Sequence, residues 1–310
     1  MVIWLHIHIN LYILHTSIHL KCYYITRHYN TYVVQCIIYT GGTHTALVKG
    51  YNREVYTDAL ARLPTGKAAG PDDIHNDVLM WLPLQFHDML HRYFTQIWAH
   101  QYTPKLWKDS TTILLYKKDD PSQIANNRPI WLKRTIYKLW TTTVTRVLTD
   151  YVENNDIIGP AQEGFRRKKS TRNQIHRLSK AMEDALTTDN NIHVLYVDFV
   201  DAFGSVDHAR LHAILEAMGI PTDAVNIIRD LYEGASIRVR TPKGDTAPIP
   251  VQGRGTVQGD TLRPLLFILF IEPLLRWLQQ GDKGYHFHTS NTQLGPVTYA
   301  DDLAIFTNKI

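Results

Sequence analysis

From about residue 54 onward, apolar and polar positions follow periods that switch between helix and strand. Thr171 predicts a helix start, with Ile175, Leu178, Met182, Ala185 and Leu186 on one face. Residues 192–197 (IHVLYV) are continuously apolar and predict a buried strand ending at Asp198. Asp207 predicts the cap of a second helix, with Leu211, Ile214, Leu215 and Met218 inward and Gly219-Ile220-Pro221 as its stop. Thr222 predicts the cap of a third, with Val225, Ile228 and Leu231 inward and Gly234 beyond its end. Residues 236–241 and 246–251 flank Pro-Lys-Gly-Asp and predict a hairpin. Residues 260–279 predict a long apolar helix bent near Pro273, and residues 296–307 predict two short strands around Asp301-Asp302. Strands alternating with helices, with antiparallel hairpins among them, predict an α+β fold.

The first 45 residues break this pattern. They hold six His, six Tyr, eight Ile and both cysteines of the chain, with no Asp or Glu and no sustained period. The stretch fits neither a signal peptide nor an Arg/Ser-rich transit peptide. His15, His19 and Cys22 have zinc-ligand chemistry, but in so His-rich a segment chance spacing explains them. The expected organisation is therefore an atypical segment, residues 1–53, outside the fold, and a folded domain over 54–310.

Composition narrows the classes. The 310 residues are 44% hydrophobic and 20% charged, as in a globular protein. Two cysteines exclude a disulfide-built scaffold. The longest apolar run, Leu265 to Ile271, is too short to span a bilayer, so no membrane partner is expected. The net charge of +4 lies wholly in the four basic residues before Glu54, the first acid of the chain. Any argument for nucleic acid thus rests on local clusters. Residues 160–180 hold seven basic residues against Glu163 alone, and residues 128–146 hold five basic residues and no acid.

Two carboxylate positions stand out. Asp198 falls where an apolar strand ends, a place where an ordinary strand-end aspartate is also common. Asp301-Asp302 differs from Asp72-Asp73 and Asp119-Asp120 in being flanked by apolar residues on both sides. Two like charges at the tip of a mostly buried hairpin repel, and a divalent cation is the usual compensation. Oxygen ligands favour Mg²⁺ over zinc. Together the three aspartates suit a two-metal phosphoryl-transfer site.

At this point the chain resembles the reverse transcriptase domain of non-LTR (LINE-type) retrotransposons. The resemblance rests on five blocks in order: GKAAGPDDIHNDVL (66–79), LLYKKDD with NNRPIWLKRTIYKLW (114–140), QEGFRRKKSTRNQI (162–175), YVDFVDAFGSVDH (196–208), and GTVQGDTLRPLLFILFI with YADD (255–271 and 299–302). It covers roughly residues 54–307.

The resemblance implies a right-hand polymerase: fingers plus a partial palm with a ferredoxin-like core, and no thumb. It implies RNA-directed DNA synthesis on an RNA template and DNA primer, from dNTP, with two Mg²⁺ or Mn²⁺. Asp198, Asp301 and Asp302 match the family's catalytic metal ligands. Phe203 matches the aromatic gate beneath the incoming sugar, and Gln258 and Gly259 match the loop beside the nascent base pair. Lys117 and Arg128 match finger residues that hold the triphosphate, a role suited to their charge. Arg166, Arg167, Lys168, Lys169 and Arg172 then lie along the template path, as does the 128–146 cluster. Action in the nucleus is implied by the family alone.

The chain departs from the family pattern in places. Gly204 replaces a frequent second aspartate, and Val257, Thr261 and Arg263 stand where relatives usually have Arg, Pro and Ser. Eight residues follow Asp302, whereas the family continues with further palm strands, a primer grip and a thumb; poor solubility and weak processive synthesis are expected of the truncated chain. The competing readings are an inactive retroelement relic that at most binds nucleic acid, and a related palm polymerase or maturase. Tyr-Ala-Asp-Asp and Phe203 argue against an RNA-copying RNA polymerase.

Overall fold

A computed structural model describes residues 46–308 apart from 121–122, 124–125, 252, 257–258 and 282, and places strands at 2–3, 9–14 and 34–35. In chain order these elements are β1 (Val2–Ile3), β2 (Ile9–Leu14), β3 (Val34–Gln35), α1 (Arg53–Ala61), α2 (Asn76–Trp81), α3 (Leu84–His100), α4 (Lys105–Lys108), β4 (Ser110–Tyr116), β5 (Asn127–Lys133) and α5 (Thr135–Asn154). They continue with α6 (Thr171–Thr187), β6 (His193–Phe199), α7 (His208–Ala217), α8 (Thr222–Tyr232), β7 (Ser236–Thr241), β8 (Gly244–Asp245), β9 (Ile249–Pro250), α9 (Arg263–Leu278), β10 (Tyr285–His286), β11 (Gln293–Leu294), β12 (Val297–Tyr299) and β13 (Asp302–Thr307). The α+β expectation holds at this level. The chain divides into two units: one joins Met1–Ile38, Ile158–Ser205 and Phe267–Ile310, the other Tyr39–Ile157 and Val206–Leu266.

Unit one is built on an antiparallel sheet of order β12-β13-β6-β2. Because side chains alternate along a strand, Val194, Tyr196 and Asp198 share a face with Val297, Tyr299, Asp302, Ala304 and Phe306. Helix α6 covers the far part of that face, where Ala181 and Ala185 pack on Val297, Ala304 and Phe306. On the other face, the Phe199 ring meets Phe267 of α9 edge-on at 6.4 Å. Helix α9 is apolar on all sides, and Ile268, Leu269, Ile271 and Leu275 are all buried, as such a pattern requires.

Helix α6 is rotated from the face its apolar spacing predicts: Ala185 is buried and Leu178 packs against the core as expected, but the other three positions do not. Ile175, Met182 and Leu186 are 61%, 47% and 81% exposed, while Gln174 and Asp184 are buried with Ala181 and Ala185. Hydrogen bonding decides the rotation. The Gln174 amide donates to the carbonyls of Ala161 and Thr298 at 3.0 and 3.1 Å. Asp184 accepts from the Tyr285 hydroxyl at 2.8 Å, the amides of His288 and Thr289, and the Thr289 hydroxyl. Four donors on one carboxylate hold its pKa far below the usual range, against the opposing effect of burial. Thr171 is the first helical residue; Ser170 precedes it as N-cap and makes no capping bond.

Unit two packs α1, α3 and α5 around Phe94, Trp98 and Trp140; the Trp98 and Trp140 rings cross at 5.5 Å and 76°. Residues 46–53, grouped by composition with the N-terminal segment, belong to this unit. Leu47 and Tyr51 are buried, and the Asp223 carboxylate accepts the Leu47 and Val48 amides at 3.0 and 2.8 Å. Tyr51 stacks on Trp98 at 6.0 Å. Further upstream, β2 pairs antiparallel with β6, aligning Ile9 with Phe199 and Leu14 with Val194.

Asp207 caps α7 as expected, accepting from the Arg210 amide at 2.9 Å. Val225, Ile228 and Leu231 of α8 are buried as expected, although the N-cap is Pro221 rather than Thr222. The hairpin from 236 is present, with a return strand broken into β8 and β9. Strand β7 also pairs in parallel with β4, aligning Ser110 with Ile237 and Thr112 with Val239. Local periodicity carries no signal for so distant a partner.

His212 of α7 is held neutral. Burial, then the charges of Arg229 and His208, lower its pKa to about 4. A folded-state pKa below the ordinary 6.5 contributes stability that is present above pH 6.5 and lost as pH falls toward 4. The side chain is only half-buried, so the expected loss between pH 7 and pH 5 is about 1 kcal/mol. Denaturant titration at both pH values should show this drop in the wild type and not in His212→Leu; an equal drop in both would refute the assignment.

Candidate active site

The three aspartates converge at one end of the unit-one sheet. The β6–β13 register pairs Val197 with Leu303, so the next rung sets Asp302 beside Asp198. Tyr299 pairs with Asp302 across β12–β13, leaving Ala300 and Asp301 as a two-residue turn. Ala300 has φ +59°, the left-handed region that such turns normally fill with glycine. Asp198 and Asp302 are exposed and Asp301 is half-buried. The pKa of Asp302 is raised, first by burial and then by the charges of Asp301 and Asp198. The like-charge cluster inferred from the flanking apolar residues is therefore present.

One loop wraps this turn. The Ala300 amide donates to Gln162 Oε1 at 2.9 Å, and Gln162 Nε2 donates to the Ala300 carbonyl at 3.0 Å. Gln162 Oε1 also accepts from the Gly164 amide at 2.7 Å. The backbone continues the pairing: Thr298 donates to Ala161, and Glu163 donates to Thr298, each at 3.0 Å. Gly164 lies so close that a Cβ there would overlap the Ala300 nitrogen and sit 2.8 Å from its Cα. The start of the loop is held by Glu272, whose Oε1 accepts the Gly159 amide at 2.9 Å and Arg276 Nε at 2.9 Å.

Phe203, the matched sugar gate, is half-buried, and its ring lies 4.6 Å from Phe267 at a tilt of 38°. Asp201 has φ +48°, and a Cβ on Gly204 would overlap the Asp201 carboxylate. The space a side chain at 204 would take is thus filled by a neighbouring acid.

The basic residues separate by role. Arg167, Lys168, Lys169 and Arg172 are exposed. Arg166 instead braces the loop, donating to the carbonyls of Gly159 and Gln162 at 2.8 and 3.2 Å. The 128–146 cluster is largely engaged within unit two, contrary to a template-facing arrangement. Lys133 is buried and donates to the Lys108 carbonyl at 2.6 Å. Arg134 bonds the Leu106 carbonyl, and Arg146 pairs with Asp58 at 3.1 Å.

Lys117 and Arg128 lie on unit two, at one end of the β4–β5 hairpin. The register pairs Leu115 with Arg128 and sets Lys117 against Asn126, so the two cations share a face, and both are exposed. Gly259 is exposed with φ +93°. Gln258 lies outside the described residues.

Among the described residues, no three His, Cys, Asp or Glu side chains form a ready metal cage. The donor chemistry of Asp198, Asp301 and Asp302 is that of hard oxygen ligands, and the charges of Asp301 and Asp198 raise the pKa of Asp302, a repulsion that a cation relieves.

Sequence reasoning passed over Gln162 and Gly164. Both stand in a quoted block, and the signal available was a Gln-x-Gly spacing ahead of the basic run, which has no meaning until the distant turn is placed beside it.

Comparison with known proteins agrees with the geometry. The family model described as reverse transcriptase (RNA-dependent DNA polymerase) matches residues 116–310. The chain is 28% identical over 259 residues to the probable RNA-directed DNA polymerase from transposon BS of Drosophila melanogaster, covering 83% of this chain and 28% of that protein. It is 25% identical to the RNA-directed DNA polymerase from mobile element jockey of the same species, covering 82% and 27%. It is 24% identical to the Pol polyprotein from the type-1 retrotransposable element R2 of Nasonia vitripennis, covering 83% and 24%. The chain thus spans about a quarter of the length of these curated relatives. With the matching model covering more than half of its residues, the chain belongs to the reverse transcriptase (RNA-dependent DNA polymerase) family, as its motif order implied.

Proposed function

We propose that this chain carries the fingers and most of the palm of a non-LTR retrotransposon polymerase that copies RNA into DNA. The observation that carries the reading is the placement of Asp198 beside Asp302 on adjacent strands, with Asp301 in the turn between β12 and β13. The reaction joins the primer 3′-oxygen to the α-phosphorus of a dNTP, breaks the α–β phosphoanhydride bond, releases pyrophosphate and loses the hydroxyl proton. Mg²⁺, or Mn²⁺ in its place, supplies positive charge to the attacking and leaving oxygens when bound by Asp198, Asp301 and Asp302. The protein's own part is orientation and charge placement. Phe203 stacks beneath the sugar and excludes a 2′-hydroxyl. Lys117 and Arg128 hold the triphosphate, with Gln258 and Gly259 beside the new base pair. Arg167, Lys168, Lys169 and Arg172 neutralise template phosphates, which makes binding steeply salt-dependent.

A second reading, nucleic-acid binding without turnover, is favoured by the departures from the family pattern at Val257, Thr261 and Arg263, which bear on nucleotide affinity and helix geometry. Single-nucleotide extension of a DNA primer on an RNA template, with Mg²⁺, separates the two. The wild type is expected to add one dNTP, to discriminate against the matching rNTP, and to lose addition in an Asp301→Ala, Asp302→Ala variant. Retained RNA binding with no addition by either protein would establish the second reading.

A further inference from the structure

We infer that Gln162 is a positioning residue for the metal-binding carboxylates: its side chain locks the Ala300 peptide and presents Asp301 and Asp302 to a divalent cation as a preformed pair. The metal-binding part of this inference rests on the polymerase reading above.

Ala300 sits in the left-handed region at φ +59°, where a Cβ makes the conformation unfavourable by about 1–2 kcal/mol. Such a residue persists only where its surroundings over-determine it. Here one amide group satisfies both backbone polar atoms of the strained residue, from 138 positions away in sequence. The orientation of that amide is fixed, because two backbone N–H groups, of Ala300 and Gly164, point at its oxygen. Gln162 is itself fully buried, and its backbone bridges Thr298 in parallel fashion. The backbone of Gln162 therefore extends the pairing past Thr298, and its side chain closes it at the turn end of the hairpin.

The geometry specifies a role beyond filling space. The residues on either side of Ala300 are Tyr299 and Asp301, so rotation of this one peptide re-aims the first aspartate of the pair. The carboxylates repel one another, and the charges of Asp301 and Asp198 bear on Asp302. Without the clamp, the turn is free to relax both the backbone strain and that repulsion by moving the carboxylates apart. Holding them together before the cation arrives is preorganisation, and its loss appears as weaker cation binding.

Gln162→Met keeps the length and apolar bulk of the side chain but none of its hydrogen bonds, and Gln162→Asn keeps the amide but not its reach. Two measurements independent of turnover decide the matter: hydrogen exchange at the Ala300 amide, and the Mn²⁺ concentration giving half of the maximal thermal shift. The expected result for both variants is exchange about 100-fold faster at Ala300 and a half-maximal Mn²⁺ concentration about fivefold higher or more. In extension assays the Mg²⁺ requirement should rise in parallel, while KM for dNTP stays within about twofold. Faster exchange with an unchanged Mn²⁺ titration would reduce Gln162 to core hydrogen bonding and overturn the inference, as would a wild type with no response to Mn²⁺. A wild type that binds Mn²⁺ but incorporates nothing removes the polymerase reading alone, and the variants' Mn²⁺ titrations still decide the clamp. Gln162→Asn supplies the same readouts where Gln162→Met does not fold.

Discussion

Asp198→Asn is expected to lower single-nucleotide incorporation by about 1,000-fold or more, since it removes one of the carboxylates that hold the cation whose charge stabilises the attacking and leaving oxygens. The substitution swaps a carboxylate for an amide of the same shape on an exposed position of β6. Folding free energy should therefore change by no more than about 0.5 kcal/mol. Its sign should be stabilising in metal-free buffer at neutral pH, because Asp198 is one of the charges that raise the pKa of Asp302. The cation should stabilise the variant less than the wild type, so the two thermal curves converge as Mg²⁺ is withdrawn. Single-turnover extension and thermal melts with and without Mg²⁺ read these effects. Incorporation within tenfold of wild type would remove Asp198 from the catalytic set.

Gly164→Ala should be the most damaging single-carbon change near the site. Its cause is space. The added carbon meets the Ala300 nitrogen, the Ala300 Cα at 2.8 Å and Gln162 Oε1 at 2.9 Å, two of them backbone atoms that cannot swing aside. Overpacking of this kind costs about 3 kcal/mol, and incorporation should fall at least about 100-fold as the turn is displaced. Gly234 offers the contrast. It has φ +68° and nothing within 4 Å of an added carbon, so Gly234→Ala carries only backbone strain of about 1–2 kcal/mol. Urea melts of the two variants check the ranking; a Gly164→Ala protein as stable as wild type would mean that the loop does not press on the turn.

What the sequence made legible follows the range over which each signal acts. Asp207 capping α7, the apolar strand at 193–199 and the carboxylate pair between two short strands are all encoded within a few residues of themselves. The inward face of α6 was read only in part, at Leu178 and Ala185, because its apolar stripe is outweighed by Gln174 and Asp184, whose partners are the carbonyl of Thr298 and the amides of His288 and Thr289. Those partners lie more than 100 residues away. The same holds for the parallel pairing of β4 with β7 and for the Gln162 contact with Ala300. Charge counting failed in the 128–146 cluster for a related reason: Arg134 and Arg146 find Asp72 and Asp58 from outside the counted window. Asp198, Asp301 and Asp302 could be named because their chemistry is local even though their meeting is not.

The interleaving of the two units has a kinetic consequence. Strand β6 needs β13 as a neighbour, yet Leu303 to Thr307 are translated more than 100 residues after Val197 to His193. At elongation rates of about 5–20 residues per second, β6 waits on the order of 5–20 s with one edge unpaired while all of α7, α8 and α9 emerge. Unit two receives its last stretch, Val206–Leu266, within that interval. The order of assembly on the ribosome is thereby set. All residues of unit two are available before the sheet bearing Asp198 can be completed, which waits until β13 leaves the exit tunnel.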